Sequence, residues 1–304
     1  MKSVVWKSNV LLLLTAIIWG FAFVAQRVGM NYVEPFMFNG VRFALGSASL
    51  LPLLWFDRRR RGNDAGAARV DAQSALWGGA LAGAVLFMGS TLQQAGVVYT
   101  TAGKAGFITG LYVVIVPLMG LLWGQHSHGR IWLGALLAVV GLYLLSVSGQ
   151  FTFSPGALLV LIGAFFWAGH VQVIAWLTRK IDPLVLSFFQ CMVCSALSLI
   201  AAAFTESISV AGIVQAAVPI LYGGVMSVGV AYTLQVVGQK GAHPAHAAII
   251  LSLEAVFALI GGWLLLDETL SARGGIGCTL MLIGMLVSQL ELRPGVPVSS
   301  QGKV

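Results

Sequence analysis

Charge is what this 304-residue chain has least of. Only 9% of it is Asp, Glu, Lys or Arg, against roughly 25% in soluble domains. So little charge cannot cover a water-soluble surface of this size, and a soluble globular protein is excluded. Three Cys are too few for a disulfide framework. Cys191 and Cys194 form a C-x-x-C inside an apolar run, where they read as small packing residues on one helix face. No Walker A pattern is present, which argues against ATP drive within the chain. The stretch Gly274–Leu280, GGIGCTL, lacks the third glycine of a dinucleotide loop. His126-Ser-His128 has no acidic or Cys company, so no metal is expected, and no cofactor. Apart from Glu291 at the end of the last run, the apolar runs hold one carboxylate, Glu254, which leaves a membrane enzyme or sensor with a clustered catalytic set as a remote reading.

What the chain does have is apolar sequence: 58% of its residues are hydrophobic. Ten runs stand out, at about 10–28, 36–56, 75–97, 103–123, 131–148, 155–177, 183–204, 213–236, 245–266 and 274–292. A bilayer-crossing helix needs ~20 apolar residues, and an unpaired strand cannot live in lipid. The connectors are short, so sequence neighbours are expected to be antiparallel neighbours. Glycines number 37, with G-x-x-x-G spacings at Gly79/Gly83, Gly106/Gly110 and Gly120/Gly124; such pairs let helix backbones approach closely. Residues 1–28 carry Lys2 and Lys7 before a long apolar core without a clear cleavage site, and read as an uncleaved first helix.

The chain looks like one unit written twice. Thr91-Leu92-Gln93 recurs as Thr233-Leu234-Gln235, 142 residues on, and at that offset Glu254 overlays Tyr112. Trp19 and Pro35 recur as Trp167 and Pro183, 148 on, where Arg42 overlays Gln190. The expected fold is an all-α integral membrane protein of ten transmembrane helices in two five-helix repeats, 8–148 and 154–292, with a polar cytoplasmic tail at 293–304. Five is odd, so the second repeat must enter the membrane inverted. Inverted repeats are a recurring plan in secondary transporters, with the substrate site near the midplane where the halves meet.

Orientation follows from Lys and Arg. With the N-terminus in the cytoplasm, 13 of the 17 basic residues fall on inner segments, among them Arg58–Arg61, Arg69, Arg130, Arg179, Lys180, Lys240, Arg293 and Lys303. Only Arg27, Arg42, Lys104 and Arg273 fall at outer ends. The positive-inside rule then places both termini in the cytoplasm, in the cytoplasmic (inner) membrane. The formal charge of +7 is thereby read as topology, not nucleic-acid binding. Asp57-Arg58-Arg59-Arg60-Arg61 is a stop-transfer segment that clamps lipid headgroups.

Polar and aromatic groups inside the spans are the candidate site. Glu254 is the tenth residue of Ala245–Leu266, near the midplane, where a carboxylate is costly unless protonated, paired or wetted. It is either bonded to neighbouring helices or part of a polar path. Trp19 and Trp167 lie deep within their helices, as packing or as a cavity wall. His170 is one turn beyond Trp167 on the same face, and a small environmental shift moves a His across physiological pH. Gln93 and Gln235 match across the repeat and can bond a solute or bridge helices. Arg42 can snorkel, pair with Glu34, or meet a carboxylate bidentately. Lys104 reads as an interface anchor. Tyr112 and Gln190 complete a plausible polar lining. The set is therefore Trp19, Arg42, Gln93, Tyr112, Trp167, His170, Gln235 and Glu254, with Glu254 and His170 as proton-coupling candidates.

These residues resemble a known family. Thr15–Val28 (TAIIWGFAFVAQRV), Val41–Phe43, Thr91–Leu122 and Tyr232–Leu270 carry a resemblance, over about residues 8–290, to the EamA family of the drug/metabolite transporter superfamily. The resemblance implies two tandem five-helix units around a central cavity, moving small metabolites, often amino-acid-like, without ATP. It leaves the solute open, since relatives move different ones. Family members often have Pro after the ninth-helix Glu; Ala255 stands there, which puts a kink at that point in doubt. The expectation is a secondary transporter, most simply an exporter of small metabolites such as amino acids. A flippase of lipid or lipid-linked sugar with the same fold is the alternative. Its partners are a small-molecule solute and the bilayer.

Overall fold

The computed structural model describes residues 2–61, 72–125, 127–146, 155–268 and 272–289. The tail 293–304, His126 and Arg69 lie outside the described residues. Every described regular element is helical. They are α1 (Lys2–Gly29), α2 (Pro35–Arg61), α3 (Ala72–Val97), α4 (Ala102–Leu122), α5 (Gly129–Ser146), α6 (Pro155–Leu177), α7 (Pro183–Thr205), α8 (Ala217–Gln239), α9 (Pro244–Leu265) and α10 (Ala272–Gln289). A short helix, Val210–Gln215, precedes α8. Eight of these are long and apolar enough to cross a bilayer, and α5 and α10 contain shorter apolar cores. Large apolar side chains such as Trp77, Phe204 and Val218 stand exposed on the rim, as a lipid-facing surface requires.

Local chemistry sets several helix ends. Pro183 and Pro244 occupy first helical positions, where the missing N–H costs nothing. Asp182 Oδ1 accepts from Leu184 N and Val185 N to cap α7. The α2 N-terminus is capped from across the bundle: Phe36 N and Met37 N each donate to a Glu206 carboxylate oxygen at 2.7 Å. Glu34 in turn accepts from Ser207 N and Ser207 Oγ. Arg42 is therefore not paired with Glu34, and it does not snorkel; it is buried.

Helix packing repeats under exchange of the halves. The equivalent helices α2 and α7, α4 and α9, and α5 and α10 pack on each other. The contacts of α1 with α8 and α9 mirror those of α6 with α3 and α4, and α2 on α8 mirrors α7 on α3. This pattern is a pseudo-two-fold relation between two five-helix repeats. Small residues make the closest crossings. A Cβ on Gly106 would sit 3.1 Å from Ala258 Cβ and 3.4 Å from Ala255 Cα, where α4 crosses α9. Gly134 and Gly284 face each other's carbonyls where α5 crosses α10. The third G-x-x-x-G pair does something else: Gly124 has φ +69° and ends α4, a left-handed conformation that suits glycine.

Two helices are broken at equivalent points. In α4 the segments Ala102–Gly110 and Tyr112–Leu122 meet at Leu111; in α9, Pro244–Leu251 and Glu254–Leu265 meet at Ser252 and Leu253. Leu111 N bonds Ile108 O and Leu253 N bonds Ile250 O, each at 3.2 Å, so both joints tighten to a 3₁₀ turn. The α9 break forms with Ala255 in place of proline. A third irregularity was not foreseen: Tyr222–Tyr232 of α8 is π-helical.

Candidate functional site

The breaks in α4 and α9 adjoin a cavity lined by α1, α2, α3, α4, α6, α8 and α9. Its volume is about 30 Å³, and its lining includes Trp19, Arg42, Gln93, Tyr112, Trp167, Tyr232, Gln235 and Glu254. That is the space of about one water molecule. Seven of the eight sequence candidates thus share one wall. His170 does not reach it.

Three aromatic rings form one side. Trp19 and Tyr232 have centroids 4.8 Å apart, Trp19 and Trp167 6.4 Å, and Trp167 and Tyr232 6.3 Å. His170 stands edge-on behind Trp167 and Tyr232. Its Nε2 meets Gln190 Oε1 at 2.9 Å, while its Nδ1 and Gln190 Nε2 have no partner among the described residues. Cys191 and Cys194 are buried beside these groups as packing residues.

The two indoles are held differently. Trp19 Nε1 donates to Ser227 O of the π-helical segment at 3.2 Å. Tyr222 Oη and Thr15 Oγ1 add bonds between α8 and α1, donating to Ile18 O and Ala231 O. Trp167 Nε1 has no such partner among the described residues. The glutamines differ likewise. Gln93 Nε2 donates to Gln26 Oε1 at 3.0 Å, and Thr109 Oγ1 donates to Gln93 Oε1 at 3.4 Å, tying α1, α3 and α4. Gln235 Oε1 is unpartnered among the described residues.

The charged groups define the electrostatics. Arg42 Nε donates to Asn39 Oδ1 at 3.0 Å, and the guanidinium lies 5.0 Å from the Phe43 centroid and 5.4 Å from that of Phe38. The Tyr112 hydroxyl lies beside the Glu254 carboxyl group. Neither Tyr112 Oη nor Glu254 Oε1 completes a hydrogen bond among the described residues. A guanidinium and a carboxyl group therefore line one space, and the Tyr112 and Glu254 oxygens have bonding capacity to spare. A buried polar atom left unbonded costs roughly 1–3 kcal/mol, and a solute or water entering this space recovers it.

Gln26, Phe23, Thr109, Ser227 and Tyr232 also line the cavity and were missed from sequence. Trp19, Phe23 and Gln26 stand at i, i+4 and i+7, one face of α1, so periodicity from Trp19 could have found them. Tyr232 directly precedes the repeated Thr-Leu-Gln.

A helical bundle of two interlocked repeats with a polar midplane cavity defines a class, the inverted-repeat membrane carriers. Comparison with known proteins narrows it. The profile of the EamA-like transporter family matches residues 6–147 and 154–289, and the chain belongs to that family. It is 33% identical over 285 residues to an uncharacterized transporter of Archaeoglobus fulgidus, covering 92% of this chain and 85% of that protein. It is 27% identical over 307 residues to a probable amino-acid metabolite efflux pump of Escherichia coli, covering 94% and 96%. A crystal structure superposes with TM-score 0.71 at 22% identity, covering 93% of this chain and 96% of its own, which supports the fold. The protein is a multi-pass membrane transporter of the drug/metabolite transporter superfamily.

Proposed function

We propose that this transporter exports small zwitterionic metabolites of the amino-acid kind across the cytoplasmic membrane by alternating access, using the proton gradient. Its moving units are the repeats 8–148 and 154–292, with both termini in the cytoplasm. One observation carries the reading: Arg42 and Glu254 line a single cavity without engaging each other as an ion pair. A guanidinium suits a solute carboxylate; a carboxylate suits an ammonium or a proton. Trp19, Trp167 and Tyr232 offer faces to a side chain or cation.

At about 30 Å³ the cavity is too small for an amino acid, so this arrangement is not the solute-loaded one. A solute enters when the α4–α9 and α2–α7 crossings shift. Glu254 is the proton-responsive group within the cavity. His170, hydrogen-bonded to Gln190 behind the rings, acts by positioning Trp167 and Tyr232. The recess between α2 and α7 is lined by six apolar side chains; a headgroup could rest at its mouth but would find no polar path along it, which favours a soluble solute over the flippase reading.

The test is counterflow in proteoliposomes loaded in turn with each of the common L-amino acids, with and without an imposed pH gradient. Exchange of at least one amino acid, driven by the gradient and lost in Arg42→Met, is the expected result. No exchange of any member, with folded protein in the vesicles, overturns the reading.

A further inference from the structure

Between α2 and α7 runs a groove of about 360 Å³, walled by Leu51, Leu54 and Trp55 on one side and Val185, Phe188 and Phe189 on the other. It lies near the C-terminal end of α2 and the first turns of α7, at the ends of their apolar spans. Leu51 and Trp55 are about half exposed, so the groove faces acyl chains. Its mouth is basic. Arg59, one turn beyond Trp55, lays its guanidinium over the Trp55 ring, 3.7 Å from the centroid. That contact holds the cation against the groove wall. The α6–α7 connector, which leads into the α7 wall of the groove, carries Arg179 and Lys180, with Lys180 Nζ 4.9 Å from the Trp176 centroid. In these two segments six basic residues stand against two acids, Asp57 and Asp182, and Asp182 is already engaged in capping α7.

We propose that this groove binds one acyl chain of an anionic phospholipid, with the lipid phosphate held by Arg59 and the Arg179–Lys180 connector. The occupant follows from charge complementarity. An apolar slot ending in a cluster of cations at headgroup depth matches a chain that ends in a phosphate, and Arg presents its donors to phosphate as a fork. The site straddles the seam between symmetry-related helices of opposite repeats. Under the transport reading above, a lipid wedged there biases the equilibrium between access states. The binding itself does not depend on that reading.

Thermal unfolding of the purified full chain in neutral detergent tests it, with phosphatidylglycerol or phosphatidylcholine added and native mass spectrometry counting retained lipids. Phosphatidylglycerol is expected to raise the midpoint by about 4 °C and phosphatidylcholine not to. Arg59→Gln is expected to at least halve that shift and the retention of phosphatidylglycerol. Phe188→Ala, which widens the slot, and Leu54→Trp, which fills it, are expected to lower retention while Arg59→Lys keeps most of it. Equal shifts by the two lipids, or undiminished retention in both Arg59→Gln and Phe188→Ala, overturn the proposal. So does a dimer of the unsubstituted chain that retains no phosphatidylglycerol in the native mass spectra.

Discussion

Tyr112 and Glu254 hold equivalent places in the two repeats, each opens the second segment of a broken helix, and their side chains lie next to one another in the cavity wall. One position in two copies has become a phenol in one half and a carboxylic acid in the other. The scaffold is symmetric and its chemistry is not. Glu254 also sits in the first turn of its segment, where the helix dipole favours a negative charge. Proton binding at Glu254 is therefore expected to depend on Tyr112. In proteoliposomes, Glu254→Gln should abolish stimulation by a pH gradient while leaving exchange at equal pH within about tenfold of wild type, that is within ~1.4 kcal/mol. Tyr112→Phe should displace the pH midpoint of transport without removing it. A wild-type pH response in Glu254→Gln would assign proton handling elsewhere.

Arg42 is expected to set solute affinity. Its guanidinium is held by Asn39 and two phenyl rings, a geometry an ammonium does not reproduce. Arg42→Lys should raise the half-saturation concentration about tenfold or more and leave the maximal rate closer to wild type. Initial-rate counterflow separates the two parameters.

The two indoles should answer differently to one substitution. Trp19→Phe removes the bond to Ser227 O and is expected to destabilise by roughly 1 kcal/mol, read as a lower unfolding midpoint. Trp167→Phe removes no bond formed within the described residues. It should spare the midpoint and weaken solute binding. The opposite pattern would reverse the assignment of anchor and ligand.

The Glu206 clamp on α2 makes a pH prediction on a group outside the spans. Burial, with a smaller contribution from Glu34, holds its carboxyl above the usual value, opposed by the Phe36 and Met37 amides. A carboxyl whose folded value is raised contributes stability that is complete below the unfolded value of 4.5 and fades as pH rises through the folded one. The α2–α7 junction is thus expected to loosen on raising the pH from about 4 towards neutrality, measured by hydrogen exchange at Phe36 and Met37 after correction for intrinsic rates. Glu206→Ala should cost about 1 kcal/mol through the lost cap.

The α4–α9 crossing leaves little room for a side chain at Gly106, whose added Cβ would already meet Ala258 Cβ at 3.1 Å. Gly106→Leu should overpack it by about 1–3 kcal/mol and lower the unfolding midpoint, while Gly129→Ala, with nothing within 4 Å of its added Cβ, should leave it unchanged.

Much of this was legible in the sequence. Ten apolar runs and the offsets of 142 and 148 residues carry the all-α fold and its duplication, because a bilayer permits few backbone solutions and a repeat announces itself by identity. Seven cavity residues were legible because polarity inside a span is costly and so conspicuous. What stayed hidden depends on contacts rather than composition. Nothing at Tyr222–Tyr232 marks a π-helix, and nothing at Leu253 marks a break once proline is absent. His170 looked like Trp167's neighbour on a shared face, yet the ring layer stands in front of it. Arg42 looked free to reach Glu34, but Ser207 had claimed that carboxylate.

A cavity walled by helices from both repeats belongs to neither half. Any shift of one repeat against the other must therefore reshape its wall, so that grip on a solute and the route by which it leaves change together.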